Sequence, residues 1–202
     1  NRHKTSGSIS SARKNFWRAL TSSYQEKNLG FPDDKWPAEK TIYHTLLKNT
    51  GIHREIGQYY ELGAPTQQDF LALWETSLRF LDEAKSSRKS LLDFAAVLGD
   101  TPLKLKQGVI DFWLPTFLFI KRGDFALYNE NGFVPYIDEQ VLYFLTRNLK
   151  EYSIKSFELN NLRLSLFNKY RSFLQQDNTA SLDTTSFIES IRLPTRLLGF
   201  YK

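Results

Sequence analysis

The chain has no cysteine and no methionine among its 202 residues, and only three histidines. Without thiols, disulfides and thiolate metal sites are excluded, which fits a reducing, cytoplasmic setting. His3, His44 and His53 never recur at i+3 or i+4, so no helix face offers two imidazoles to one metal. His44 lies on the helix that Pro37 opens, beside apolar Tyr43, and His53 is expected to make a hydrogen bond at a helix end. The chain also lacks GxxxxGK[ST], GxGxxG and GxSxG, the sequences that build phosphate loops and nucleophile elbows. Asp33-Asp34-Lys35 and Glu83-Ala84-Lys85 match acid-x-Lys fragments of nucleases, but no partner carboxylate for a metal accompanies them, and solvated charge is the simpler reading. The expectation is a segment with no catalytic residue, no cofactor and no metal. Long apolar runs are missing too. The longest, Val109 to Ile120, is about a dozen residues and contains Asp111 and Pro115, short of a membrane span. It reads as a buried core helix, and no membrane partner is expected. The basic N-terminus has no apolar signal segment. A first residue Asn1 and the lack of methionine are read as a piece cut from a larger protein.

What is present is ample core material, 41% hydrophobic and 15% aromatic, with an uneven charge. Residues 1–54 hold ten Lys/Arg against four Asp/Glu, and residues 55–100 hold four against eight, so most of the net +5 lies in the first quarter. Five basic residues and no acid occur between Arg2 and Arg18: Arg2, Lys4, Arg13, Lys14 and Arg18. Such a stretch is a candidate phosphate contact, or a solvated face turned to an acidic surface.

Periodicity predicts a mainly α, α+β fold in two regions, 1–100 and 101–202, with one continuous domain as the alternative. Ala12, Phe16, Leu20 and Tyr24 mark a first helix over Ser10–Tyr24, with Arg13, Lys14 and Arg18 off its apolar side. Pro37 opens a second, which Gly51 stops. Residues 51–65 read as a loop. Thr66-Gln67-Gln68-Asp69 reads as a capping box for a third helix, and Ser87–Leu98 as a fourth. A long apolar helix is expected over Leu103–Ile120, bent near Pro115. Asn131-Gly132 between Phe125–Tyr128 and Phe133–Ile137 predicts a hairpin. Asp138 caps the next helix, and Ser153–Leu159 alternates as a third short strand. A helix from Asn161, a polar loop over Gln175–Thr185 and a last helix from Phe187 complete the reading.

Helix, hairpin, helix and strand over 102–160 suggest a winged-helix-like unit. Its pre-wing helix is nearly all apolar, and its tip carries Glu130 and no base, so neither reads base edges. Contact with duplex DNA would then run through phosphates, from Lys104, Lys106, Lys121 and Arg122 together with the N-terminal patch.

Two blocks carry a family resemblance. One is Asn1–Ser6, Ala12-Arg13-Lys14, Pro37–Tyr43 and Leu46–Arg54; the other is Lys106–Ile110, Ala126-Leu127-Tyr128 and Gly132–Pro135. In that order they resemble the part following the nucleotide-binding core of very large bacterial P-loop ATPases related to the ATPase of BREX-type phage-defence systems. The resemblance implies a regulatory or DNA-backbone-engaging module outside the nucleotide site. Its partners would be DNA, the rest of the parent ATPase or other defence proteins. The alternative is a protein-interaction or oligomerisation scaffold that makes no nucleic-acid contact.

Overall fold

The computed structural model describes residues 6–157. The helix, loop and last helix expected beyond Asn160 lie outside the described residues, as do Arg2 and Lys4.

Helix α1 spans Gly7–Ser23 and is capped by Ser6, whose hydroxyl accepts from the Ile9 amide. It buries Ala12, Phe16, Trp17 and Leu20, and also Arg13. A short 3₁₀ turn at Lys27–Gly30 follows, with Asn28 and Leu29 both near φ +53°. Helix α2, Ala38–Tyr43, begins one residue after Pro37 and continues as a wider π turn over His44–Lys48. Gly51, at φ +74°, ends that run, and a side chain there would collide with Thr66.

The stretch expected to be a loop after Gly51 contains an antiparallel hairpin, β1 (His53–Ile56) and β2 (Tyr59–Leu62). Thr66 does not cap α3 (Gln68–Glu83). The N-cap is Gln67, which makes no side-chain cap bond, while the amides of Thr66 and Gln67 both donate to the Thr50 carbonyl. That pair of bonds clips the base of the hairpin shut. Strand β3 is only Lys89–Ser90, and Ser90 then caps α4 (Leu91–Gly99). Helix α5 runs over Gln107–Ile120 with Pro115 inside it, starting four residues later than the periodicity suggested.

The Asn-Gly hairpin forms as expected, β4 (Phe125–Asn129) against β5 (Gly132–Val134). Asp138 caps α6 (Glu139–Leu145) by accepting from the Val141 amide. Strand β6, Ser153–Ser156, then inserts between β3 and β4 to give an antiparallel sheet ordered β3-β6-β4-β5. Among the described residues the fold is thus mixed α and β, with six helices and two small antiparallel sheets.

The pleat sends alternate residues to opposite faces of that sheet. Phe125, Leu127, Ile154 and Val134 face the core. On the other face Tyr128 is opposite both Phe133 and Ser153, so Ser90, Ser153, Tyr128 and Phe133 form one row across all four strands. The core is one cluster that crosses residues 100 and 101. Trp113 and Phe117 of α5 contact Trp74 of α3, and Phe117 also contacts Phe94 of α4.

Candidate nucleic-acid interface

Seven of the nine basic residues singled out in the sequence are among the described residues. Most of them are already engaged within the fold. Arg13 is turned inward: its side chain is 10% exposed, its Nη2 donates to Asp111 of α5 at 3.3 Å, and its guanidinium lies 4.9 Å from the centre of the Phe112 ring. Asp111 is itself held by Gln107 at 2.7 Å. The helical period alone puts Arg13 beside Phe16 and Trp17, near enough to the buried stripe for a long cation to reach a carboxylate on the next helix.

One turn further along α1, Arg18 grips Glu139 of α6 with two bonds, 2.9 Å from Nε and 3.3 Å from Nη2. The Glu139 hydrogen bond and charge hold the Arg18 guanidinium above its usual pKa. Lys14 adds a longer contact to the same carboxylate at 3.9 Å. The first-quarter basic stretch therefore fastens α1 to α5 and α6, with carboxylates that lie far away in the sequence. Arg18 and Lys14 remain more than half exposed, so these two pairs contribute little to stability.

At the far end of α5, Lys121 pairs with Asp124. Arg122 donates to the Phe119 carbonyl and stacks on the Phe119 and Tyr24 rings at 4.4 and 4.9 Å. Of these seven residues, only Lys104 and Lys106 are exposed with no carboxylate at ion-pair distance among the described residues. They flank the entry to α5, which has no side-chain cap and no acid in its first turn. The structure thus does not gather the predicted cations into one patch; it separates two free lysines from five engaged residues.

His44 and His53 are held by more specific contacts than the sequence predicts. His53 begins β1 and is 3% exposed. Its Nε2 lies 2.8 Å from the Tyr24 carbonyl, which can only accept, so Nε2 carries the proton and Nδ1 accepts from the Tyr43 hydroxyl at 2.9 Å. Burial pushes the His53 pKa down, opposed by the Tyr24 bond and reinforced by the Lys48 ammonium. Burial likewise pushes the Tyr43 hydroxyl far up. His44 stacks on the exposed Trp36 at 4.8 Å, and its pKa is lowered by burial, then by Lys48 and Lys40.

Beside them Lys40 is 2% exposed, with no carboxylate at ion-pair distance among the described residues. Its ammonium donates to the carbonyls of Pro32, Asp33 and Lys35, which uses all three protons, and sits 4.6 Å from the Trp36 ring. The cation pins the 31–37 loop to α2.

The sequence reading passed over the aromatic row on the outer sheet face. The alternation in Phe125-Ala126-Leu127-Tyr128 and Gly132-Phe133-Val134 was the available signal. Among the described residues no group of three or more His, Asp or Glu is placed to hold a metal. No described helix is long and apolar enough to cross a membrane. No protein family, no curated protein and no solved structure matches this chain.

Proposed function

We propose that this chain is a non-catalytic, phosphate-contacting module of a larger protein, of the kind found beside the nucleotide core of the phage-defence ATPases that its two sequence blocks resemble. The observation that carries the reading is the exposed pair Lys104 and Lys106 at the uncapped start of α5. Two free cations beside unsatisfied helix amides attract phosphate oxygens without reading base sequence. The β4–β5 hairpin next in the chain would serve as the wing of a winged-helix-like unit. Titration with labelled duplex DNA at low and moderate salt tests the reading: weak, sequence-independent binding that fades with salt is expected. Binding should be lost in Lys104→Gln/Lys106→Gln, and a chain that ignores duplex DNA at low salt sinks the proposal.

A second reading, a protein-contact module, rests on the β1–β2 arm. Ile56 and Tyr59 face each other across its tip and are 48% and 68% exposed. Apolar side chains presented in this way favour association. Light scattering across a concentration series tests it, with Tyr59→Asp expected to abolish any self-association.

A further inference from the structure

The outer face of the four-stranded sheet carries a different chemistry from the α5 entry. Arg88, in the turn before β3, lays its guanidinium 3.8 Å from the centre of the Tyr128 ring. Tyr128 in turn contacts Phe133 on the neighbouring strand, with ring centres 5.9 Å apart and planes at 60°. Phe133 is 39% exposed although it belongs to a strand whose neighbour Val134 packs on the core. Ser153 and Lys155 of β6 share this face with Tyr128 by register. Lys155 donates to the Lys85 carbonyl. Neither Arg88 nor Lys155 has a carboxylate at ion-pair distance among the described residues, whereas nearby Lys85 and Lys89 are paired with Asp82 and Glu83.

We infer that this face is a binding site for single-stranded nucleic acid, with bases stacking on Phe133 and on the Arg88–Tyr128 pair and phosphates drawn to Arg88 and Lys155. An aromatic ring offers a flat π surface to any base. A guanidinium already stacked on a tyrosine presents its second face and its outward N–H groups. A duplex keeps its bases stacked inside and cannot use such a surface, whereas a single strand can splay them onto it. The two unpaired cations supply the charge match, and the Ser153 hydroxyl adds a donor in the same row. This site uses none of the residues of the α5 entry, so its variants at Phe133 and Arg88 test it separately from the duplex reading.

The test is fluorescence anisotropy of a short fluorescein-labelled oligo(dT) with the full chain. Saturable binding is expected, with a shallow salt dependence of about −1.4 in log K against log salt for two phosphate contacts. Phe133→Ala and Arg88→Gln should each weaken it about tenfold, while Phe133→Trp retains it. Phe144→Ala, an exposed aromatic on α6 outside this sheet, should bind as the parent does. Absence of binding at low salt, or unchanged binding in both Phe133→Ala and Arg88→Gln, overturns the inference. So does displacement of the oligonucleotide by polyglutamate of equal charge as effectively as by unlabelled oligo(dT), which would assign the face to an acidic protein. Should a variant fail to fold, photo-cross-linking of the parent to a 4-thiothymidine strand decides. Label in the peptides holding Tyr128 and Phe133 supports the site, and label confined elsewhere overturns it.

Discussion

Around Trp113 the interior is built of rings; around His53 it is built of hydrogen bonds. In the first region Trp74, Phe70 and Phe117 meet Trp113 edge-on or tilted at 5.3 to 6.2 Å, and Phe80 stacks on Phe94 at 4.5 Å. The Trp113 indole N–H is met by Ser77 at 2.9 Å, and Ser77 donates on to the Leu73 carbonyl. In the second region Lys40, His53, Asn28 and Thr50 are all buried; Asn28 donates to Asp33 and accepts from Lys48, and the Thr50 hydroxyl donates to the Leu46 carbonyl. The first region depends on filled volume and tolerates changes of polarity badly. The second depends on matched donors and acceptors, where losing one partner strands the other.

Four changes would break or sharpen that contrast. Trp113→Ala should cost the most, about 4 kcal/mol in urea denaturation, because it opens a cavity among three rings and takes away the donor to Ser77. Lys40→Met keeps the volume but leaves three carbonyls without donors; about 3 kcal/mol is expected. A near-neutral result would show that water reaches the 31–37 loop and that the second region is not dry. His53→Phe should cost about 2 kcal/mol at neutral pH by stranding the Tyr43 hydroxyl and the Tyr24 carbonyl.

The same histidine gives the second region a pH dependence. Its folded pKa lies below the unfolded value of about 6.5, so the unfolded chain takes up the proton more readily. Its contribution is complete above that value and is lost as pH falls from it toward the folded pKa; His44 has the same sign. Denaturation midpoints measured between about pH 7 and pH 5 should fall, and less steeply in His53→Phe. Smallest of all is Arg18→Gln, which loses an exposed bidentate pair and should leave the midpoint unchanged within error.

Much of the first region was legible in sequence. Phe70, Trp74 and Leu81 recur at helical spacing, and the apolar run ending at Ile120 is a core helix. The β4–β5 hairpin was legible because Asn131-Gly132 supplies a tight turn with Gly132 at positive φ. The β1–β2 hairpin was not. His-Arg-Glu-Ile carries two charges in four positions and its buried residue is a histidine, so neither alternation nor apolar content marked a strand. The candidate interface was legible as composition but not as arrangement. Nothing local announces that Arg13 meets Asp111, or that Arg18 meets Glu139 across 121 positions. Tertiary contacts decide which cations are free.

The two amides that close on the Thr50 carbonyl have a consequence beyond stability. They join Thr50 to Thr66 and Gln67 at the base of the β1–β2 arm, so the arm leaves and re-enters the domain at nearly one point. At its far end Gly57 has open space where a side chain would go. An insertion between Gly57 and Gln58 would lengthen a spur without moving either anchor. In engineering terms this is a permissive port, where an epitope or fluorophore can be carried at the open tip of the arm.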